Sequence, residues 1–361
     1  MPDSTPISCW CGVDDLAPFS EFYRCCTNCN TLVSVVRNDD EFYKGGDTAT
    51  DLYGKDYWTK HVKKLGFPDI YERSRADLCE RSLFWLRSIL KYRLPPAKTL
   101  ELGCAHGGSV YLQSLAGYDA AGAEMSPWLC DFAKSTFNVR MYCGDIEDID
   151  IPLASLDIVI LMDVLEHFPD PLKSLKRIVD TLSDDGILVI QTPAFRSVGK
   201  SYEQMKAEGE IFLLHLKEDE HLYLFNAESL KLLFARLGLH HVSFEPSIFA
   251  YDMFAFVSKQ PLQKNPADVV EKWLTADPAR RTVLALLDMY TMLEENADKL
   301  NKYTEKYNKL LSDQSSVTNE LMIHKQYHQE AITELLLIKN SLIWKLSAPF
   351  RRICDGLRRL I

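Results

Sequence analysis

A glycine-rich turn behind an apolar run holds the residues of this chain best suited to bind a small ligand. Residues 99–108 read Thr-Leu-Glu-Leu-Gly-Cys-Ala-His-Gly-Gly, and an amphipathic helical pattern follows them. A strand, a glycine turn and a helix N-terminus together present backbone N–H groups to a ligand. Gly103 and Gly107 would let the backbone approach that ligand closely. Such turns are common after strands, so the turn alone does not identify the ligand.

Acidic residues around the turn narrow the range of ligands that it could bind. Glu124 ends the next predicted strand about 20 residues further on, where a carboxylate can accept hydrogen bonds from both hydroxyls of a ribose. Glu101, just before the first glycine, would repel a pyrophosphate but suits the ammonium group of a methionine moiety. Asp145 follows the third predicted strand and can accept a hydrogen bond from the amino group of adenine. Each residue has a plainer interpretation as an acid at a strand end or turn, but together they favour S-adenosylmethionine.

An alternation of apolar runs and helical patterns supplies the elements that position these residues. It extends from residue 97 to about residue 259 and predicts βαβ units around a parallel sheet. A short loop separates the last two runs, which are therefore predicted to pair as an antiparallel hairpin. The predicted strands are Thr99–Leu102, Ala120–Ala123, Val139–Cys143, Ile158–Met162, Ile187–Gln191, His241–Phe244 and Met253–Val257.

Residues 97–260 resemble a class I S-adenosylmethionine-dependent methyltransferase. The match rests on Glu-Leu-Gly-Cys-x-x-Gly from residue 101, on Glu124, on Gly144-Asp145, and on Asp-Val-Leu-Glu-His-x-Pro-Asp-Pro from residue 163. The resemblance implies a Rossmann-like α/β fold whose seven-stranded sheet has an antiparallel last strand. It implies cofactor contacts at Glu101, Gly103, Gly107, Glu124, Asp145, Ile146 and Asp163. Ala105 replaces the commoner glycine, and we expect its backbone to stay in the α region because a positive φ would cost alanine about 1 kcal/mol.

Two histidines are candidates for the base that methyl transfer to a hydroxyl requires. The protein must mainly position the acceptor and remove its proton, and histidine is the natural base near neutral pH. His167 lies just beyond the fourth predicted strand. His221 lies in a Glu-His-Leu-x-x-Phe segment that is on the acceptor side in related methyltransferases. The alternative is that His167 caps local structure and His221 packs a lid.

A divalent-ion pattern overlaps one of these histidines. Asp163, Glu166 and His167 match a carboxylate-carboxylate-histidine set that binds an ion in some quinone-pathway relatives. Many relatives with these residues need no ion, so we do not expect a functional one here.

Four cysteines near the N-terminus have the spacing of a structural zinc site. Cys9-x-Cys11 and Cys26-x-x-Cys29 are two chelating pairs, and four thiolates give a closed tetrahedral site. Cys25 is the alternative ligand to Cys26. A set of free buried thiols is the alternative to a zinc site.

The cysteine pattern extends the resemblance towards the N-terminus. Cys-x-Cys-Gly, followed by Tyr23-Arg24-x-Cys-x-x-Cys, is similar to small zinc ribbons fused ahead of bacterial methyltransferases. The likeness includes Tyr-Gly-x-x-Tyr-Trp from residue 53 and covers residues 5–260. Such proteins resemble members of surface-polysaccharide and O-antigen gene clusters. The likeness implies that the acceptor is a hydroxyl of a sugar in surface glycan assembly.

The composition of the chain excludes other classes of protein. The 361 residues carry a net charge of −10, whereas nucleic-acid binders usually have a basic face. Residues 1–6 lack the features of a secretory signal, and no apolar run approaches the roughly 18 residues that span a bilayer. The cysteines are therefore expected to be in a reducing cytoplasm.

The chain after the methyltransferase-like region is predicted to be largely helical. Residues 279–348 contain neither proline nor glycine, and their apolar residues follow an interrupted heptad register, which favours a long helix or a coiled coil that joins copies of the chain. Residues 344–361 have a basic amphipathic pattern and resemble tails on bacterial glycan-assembly enzymes. This tail predicts contact with the inner membrane face or with a glycan-assembly partner. The alternative is a helix that closes an oligomer.

These patterns divide the chain and rank its possible functions. The predicted parts are a zinc-ribbon-like segment (1–40), a helical cap (41–96), a methyltransferase domain (97–260), a linker (261–280), a long helix (281–343) and the basic tail (344–361). The leading hypothesis is an O-methyltransferase acting on a sugar. The alternatives are a methyltransferase of a small metabolite and a non-catalytic scaffold that uses the long helix.

Overall fold

The computed structural model describes residues 7–38, 53–64, 66–312 and 318–338, and the chain divides into two units, Met1–Leu284 and Ala285–Ile361. The strands in order are β1 (Leu16–Pro18), β2 (Tyr23–Cys26), β3 (Leu32–Ser34), β4 (Lys98–Leu102), β5 (Asp119–Glu124), β6 (Arg140–Cys143), β7 (Leu156–Met162), β8 (Leu182–Pro193), β9 (Tyr223–Leu224), β10 (His241–Glu245) and β11 (Asp252–Ser258). The α-helices are α1 (Val62–Lys64), α2 (Ile70–Asp77), α3 (Leu83–Tyr92), α4 (Gly108–Ala116), α5 (Pro127–Phe137), α6 (Pro171–Thr181), α7 (Tyr202–Ala207), α8 (Ala227–Arg236), α9 (Ala267–Thr275), α10 (Pro278–Ser312) and α11 (Thr318–Ile338).

The larger sheet confirms the predicted fold. Its seven strands are ordered β10-β11-β8-β7-β4-β5-β6. β4 pairs in parallel with both β5 and β7, and β11 pairs antiparallel with β8 and β10. Every predicted strand is present, and the predicted hairpin is β10 with β11. The fold is a Rossmann-like methyltransferase sheet.

The centre of this sheet is buried on both faces. Residues 158–161 of β7, Ile-Val-Ile-Leu, are each at most 1% exposed. A continuous β-branched run of this kind suits a parallel strand that is covered by helices on both sides. The chain order runs outward from β4 to β6 and then resumes at β7 on the other side of β4, and ligands of open α/β sheets bind at such a switch point.

A smaller antiparallel sheet joins the N-terminal segment to the rest of the first unit. Its strand order is β1-β2-β3-β9, so β9 comes from a part of the chain almost 200 residues away. Leu32 of β3 is the register partner of Leu224, and Val33 is the partner of Tyr223. Residues 16–34 of the predicted segment 1–40 therefore contribute three strands to the sheet beside His221.

Helical segments make up most of the described residues between this segment and β4, from residue 57 to residue 92. Two π-helical segments, Tyr57–His61 and Leu78–Ser82, adjoin α1 and α3. Residues 41–52 and 65 of the predicted cap lie outside the described residues.

The predicted linker 261–280 is wrong in part, because it contains helix α9. Pro266 precedes the helix, Leu274 is fully buried, and the Trp273 indole N–H donates to the carbonyl of Ala116 at 3.1 Å. Two large apolar side chains at the end of a three-turn helix bury more surface than a linker would, so the segment packs on the domain.

The long C-terminal helix is described as α10 and α11, separated by residues 313–317, which lie outside the description. The predicted tail 344–361 lies outside it as well. Among the described helices, none combines the length and apolarity that crossing a bilayer requires.

Candidate functional site

A cavity of about 830 Å³ opens at the carboxyl ends of β4, β5, β6 and β7. Most of the predicted site residues line it, namely Glu101, Gly103, Glu124, Asp145, Ile146, Asp163, His167 and His221. Parallel pairing puts the ends of neighbouring strands at one edge of a sheet, so residues far apart in sequence meet there. The cavity is large enough for a nucleoside-sized ligand and a second small molecule.

Gly103 makes the sharp turn out of β4. Its φ is 64°, and a Cβ there would lie 2.7 Å from Cγ2 of Val164. A side chain would therefore be strained by the backbone and would collide with the loop after β7. Glycine here keeps that side of the cavity open.

Ala105 does not have the α-region backbone that we expected. Its φ is 46°, in the left-handed region, and its N–H donates to Oε2 of Glu124 at 3.1 Å. The N–H of Ser126 donates to Oε1 of the same carboxylate at 3.1 Å. The left-handed turn aims the Ala105 N–H at Glu124, and this bond offsets part of the strain.

Gly107 has a different role from the predicted cofactor contact. It does not line the cavity, and with φ at 76° it directly precedes α4. A Cβ would lie 2.9 Å from Cβ of Ala133 and 3.1 Å from Cγ2 of Val139. The glycine therefore allows the turn to pack closely against α5 and the residue before β6.

Glu101 is a carboxylate buried at the end of β4, with 4% of its surface exposed. The Gln113 side-chain N–H donates to its Oε2 at 2.7 Å, and the Thr99 hydroxyl fixes the Gln113 amide from the other side at 2.6 Å. Burial raises the pKa of Glu101 to about 7, against the opposing effect of hydrogen bonds from Ser109 and Gln113. A cation bound beside it would favour its ionised form.

Asp145 and Asp163 lie at the ends of β6 and β7. Oδ1 of Asp145 accepts from the N–H of Glu147 at 3.0 Å in a local turn. Asp163 has a left-handed φ of 57°, and its carboxylate accepts from the Gln191 side chain at 3.1 Å. The Trp85 indole N–H in turn donates to the Gln191 carbonyl oxygen at 3.0 Å. The position of Asp163 is therefore fixed from β8 and α3.

His167 and His221 meet at one end of the cavity, with ring centroids 4.9 Å apart. Nδ1 of His221 is 2.8 Å from the carbonyl oxygen of His215, and Nδ1 of His167 is 2.9 Å from that of Glu220. A carbonyl can only accept, so both Nδ1 atoms carry hydrogen and both Nε2 atoms keep a lone pair.

Both rings are neutral at physiological pH. Burial lowers the pKa of His167 to about 4, and burial together with the neighbouring His167 holds the pKa of His221 well below its usual range. His221 is 5% exposed. Neutral rings with free Nε2 atoms can accept a proton or bind a metal ion.

Glu166, His167 and His221 form a group whose ligand atoms all lie within 4.8 Å of one another. Oε2 of Glu166 accepts from the Thr192 hydroxyl at 2.9 Å, while Oε1 has no hydrogen-bond partner in the described part of the chain. The group differs from the predicted divalent-ion set, because His221 takes the place of Asp163.

Basic and aromatic residues of the helical region also line the cavity, and the sequence analysis missed them. They include Arg73, Arg81 and Trp58. Nη1 of Arg81 lies 3.9 Å from Asp163, and its Nε has no hydrogen-bond partner in the described residues. Arg73, Asp77 and Arg81 recur every four residues, and this helical spacing was the signal that could have revealed them.

The predicted cysteine ligands converge on one point. Sγ of Cys9 is 3.6 Å from Sγ of Cys29, and Sγ of Cys11 is 3.6 Å from Sγ of Cys26. All four sulfurs lie within 4.8 Å of one another and are buried. Tetrahedral zinc with Zn–S bonds of about 2.3 Å separates its sulfurs by about 3.8 Å, so the donor set fits zinc.

Cys25 does not belong to this group. Successive side chains of a strand point to opposite faces, and Cys25 packs with Leu32 and Phe195 on the face of β2 away from Cys26. None of the described cysteines forms a disulfide.

Comparison with known proteins identifies the region around the cavity. Residues 71–243 match a family model described as a methyltransferase domain. Residues 71–243 are thus similar to a methyltransferase domain. The match begins in α2 and ends in β10, so the domain includes the arginines of the helical region as well as the strands.

Curated relatives of this methyltransferase domain carry the name ubiquinone biosynthesis O-methyltransferase. The protein from Coxiella burnetii is 33% identical over 100 residues, which is 26% of this chain and 42% of that protein. The protein from Xanthomonas campestris is 30% identical over 107 residues, 27% of this chain and 44% of that protein. The chain thus spans less than half the length of these relatives.

Solved methyltransferase structures also match. One is a TehB-like S-adenosylmethionine-dependent methyltransferase from Corynebacterium glutamicum, with 20% identity, a TM-score of 0.36 and coverage of 55% of this chain and 98% of that chain. Another, from Aquifex aeolicus, has 14% identity, a TM-score of 0.38 and coverage of 55% and 96%.

The left-handed backbone of Ala105 leads to a stability prediction. Ala105→Gly should raise the free energy of unfolding by about 1 kcal/mol, because it relieves the Cβ clash of a positive φ. Ala235→Gly, in helix α8, is the matched control and should lower that free energy. Urea denaturation of the three proteins measures the differences, and an unchanged or lower value for Ala105→Gly would contradict the assigned turn.

Proposed function

We propose that this chain transfers a methyl group from S-adenosylmethionine to a hydroxyl of its acceptor. The observation that carries the proposal is the grouping of Glu101, Glu124 and Asp145 on one cavity of a methyltransferase domain. Among the described residues, no cationic side chain pairs with the buried Glu101, and a ligand ammonium group would supply such a partner. An acidic group here does not suit a pyrophosphate.

The residues present fit the cofactor part by part. Glu101 would hold the ammonium group, Glu124 the ribose hydroxyls and Asp145 the adenine amino group. Arg81, whose Nε lacks a hydrogen-bond partner in the described residues, is suited to the carboxylate of the methionine moiety. When bound, the sulfonium supplies the methyl group that is transferred.

We assign the role of base to His221. The Nδ1–H bond to the His215 carbonyl orients the ring, and burial keeps Nε2 free of a proton at neutral pH. Nε2 can therefore take the acceptor proton as the oxygen attacks the methyl group. His167, 4.9 Å away between ring centroids, would orient the acceptor hydroxyl and is the alternative base.

For the acceptor, we propose a sugar hydroxyl in surface glycan assembly, on the strength of the sequence resemblance. Trp58 and the polar groups of the cavity suit a sugar ring, whose faces pack on aromatic side chains while its hydroxyls form hydrogen bonds. The names of the curated relatives, ubiquinone biosynthesis O-methyltransferase, favour the alternative acceptor, a small metabolite. Mass spectrometry of nucleotide-sugars, lipid-linked glycans and small metabolites incubated with enzyme and cofactor distinguishes the two.

The remaining parts of the chain have proposed roles that depend on sequence pattern. We propose that α10 and α11 join copies of the chain, as a coiled coil, and that residues 344–361 contact a membrane surface or a glycan-assembly partner. The competing hypothesis of a non-catalytic scaffold requires a domain that no longer binds the cofactor.

Cofactor binding should depend on pH through Glu101. Its pKa of about 7 means that binding an ammonium group below pH 7 must release a proton, so affinity should fall up to about tenfold per pH unit below that value. Calorimetry with S-adenosylmethionine between pH 5.5 and 7.5, in two buffers of different ionisation enthalpy, measures both the affinity and the proton release.

Glu101→Gln should weaken binding at least about tenfold and remove the proton release, because a neutral amide has no charge to offer the ammonium group. Glu228→Gln, on the exposed side of α8, is the control and should behave as the original protein. Absence of binding by the unaltered protein would contradict the proposed function and favour the scaffold.

The two histidines can be separated by substitution. His221→Asn should lower methyl transfer about 10²-fold or more at saturating cofactor, since the base is lost while cofactor binding is kept. His167→Asn should cost less, and His241→Asn on β10 should cost nothing. Each variant is also assayed with a chelator, since Glu166, His167 and His221 form a group able to hold an ion. Full transfer by both site variants would refute a histidine base.

We also propose that the four cysteines hold a structural zinc ion. Purified protein should contain about one equivalent of zinc, and Cys29→Ser should lose it because a closed tetrahedral site needs all four thiolates. Cys25→Ser, the neighbouring cysteine on the other face of β2, should keep it. Plasma mass spectrometry measures the metal, and full zinc content in Cys29→Ser would overturn the assignment.

A further inference from the structure

The N-terminal sheet holds the segment of the chain that carries His221. β3 pairs with β9, which begins two residues after that histidine. The N–H of Ser34 donates to the carbonyl of Leu222 at 3.0 Å, and the Ser34 hydroxyl donates to the carbonyl of Glu218 at 2.9 Å. The backbone on both sides of His221 is thus attached to β3.

Tyr23 acts on His221 itself. Its hydroxyl donates to the His221 carbonyl at 2.8 Å, and the side chain is 1% exposed. The ring of His221 is held from another direction, by the carbonyl of His215, and the next residue, Leu222, donates its N–H to the carbonyl of Glu166 at 2.8 Å. Bonds to the ring, the carbonyl and the following amide leave this residue one orientation.

The turn of the cysteine cluster reaches the same segment from its other end. The Asn226 side-chain amide donates to the carbonyls of Cys29 and Asn30, both at 3.0 Å. Its Oδ1 caps α8 by accepting from the N–H of Glu228 and Ser229. Cys29 is a member of the cluster, so one side chain links the cluster turn to the end of the segment.

We propose that Tyr23 is a positioning residue for His221, and that the N-terminal cysteine-bearing sheet serves to order residues 218–226 for methyl transfer. β9 is two residues long, and a strand so short has little stability of its own. Pairing with β3 supplies the order that the segment lacks. The expected effect on methyl transfer rests on the proposed function. The ordering of residues 218–226 is a property of the fold.

Tyr23→Phe tests this inference, because it removes one hydroxyl and keeps the ring. Amide hydrogen exchange of residues 218–226 should become about tenfold faster or more, while exchange in β7 and β8 stays the same. The His221 ring signal, assigned in an NMR spectrum with His221→Asn, should shift. The methyl-transfer rate should fall about tenfold, with cofactor affinity within about twofold of the original.

Tyr118→Phe is the matched control. Tyr118 is also buried, and its hydroxyl also donates to a backbone carbonyl, that of Arg93 at 2.6 Å, but it lies outside the cavity lining. It should leave the exchange of residues 218–226, the His221 signal and the transfer rate unchanged. Equal effects of the two variants, or no effect of Tyr23→Phe on exchange, would overturn the inference.

Ser34→Ala and Cys29→Ser give two further measurements, should Tyr23→Phe fail to fold. Ser34→Ala removes the bond to the Glu218 carbonyl and should speed exchange near residue 218. Cys29→Ser should speed exchange at residues 222–226, and unchanged exchange throughout residues 218–226 in both variants would contradict the inference. A protein that binds no S-adenosylmethionine but shows these exchange changes would refute the proposed function alone.

Discussion

Parallel pairing of β4 with β5 on one side and β7 on the other is the constraint on which the site depends. It brings the ends of three strands to one edge, and each end carries a carboxylate. Burying a carboxylate is unfavourable unless hydrogen bonds or a cation compensate it. Burial raises the pKa of both carboxylates, but Glu124 receives two backbone N–H groups, whereas Glu101 receives side-chain amide and hydroxyl bonds and its pKa rises to about 7. The difference leaves Glu101 as the carboxylate that a cationic ligand would stabilise most.

The turn after β4 is shaped by the same constraint. Its backbone must leave the sheet, avoid the loop after β7 and direct an N–H at Glu124. Gly103 avoids the loop after β7 because it has no Cβ. Ala105 directs its N–H at Glu124 with a left-handed backbone, which alanine adopts at a cost in free energy. Strain of this kind persists where the surroundings over-determine the conformation. Here the conformation of Ala105 is held by the hydrogen bond from its N–H to the buried Glu124 carboxylate.

The histidine end of the cavity is assembled from segments that lie far apart in the sequence. His167 comes from the loop after β7, and His221 comes from the segment before β9. Both rings are neutral because burial disfavours their charged forms, and both present Nε2 because backbone carbonyls take Nδ1. The N-terminal sheet holds the His221 segment in place, through the pairing of β3 with β9 and the hydrogen bond from Tyr23 to the His221 carbonyl. The segment that bears the four cysteines and the region around the cavity thus belong to one folded unit.

The strands, the cavity carboxylates and the cysteine ligands could be predicted from the sequence, because each is a local pattern. Apolar runs of period two or continuous burial define strands, and Cys-x-Cys with Cys-x-x-Cys defines chelating pairs. The pairing of β3 with β9, the role of Gly107 and the backbone of Ala105 were decided by tertiary structure alone. Each depends on what another element places opposite it: a buried carboxylate for Ala105, the Ala133 side chain for Gly107, and an edge strand almost 200 residues away for β3. A local sequence pattern carries no information about a residue that becomes a neighbour only when the chain folds.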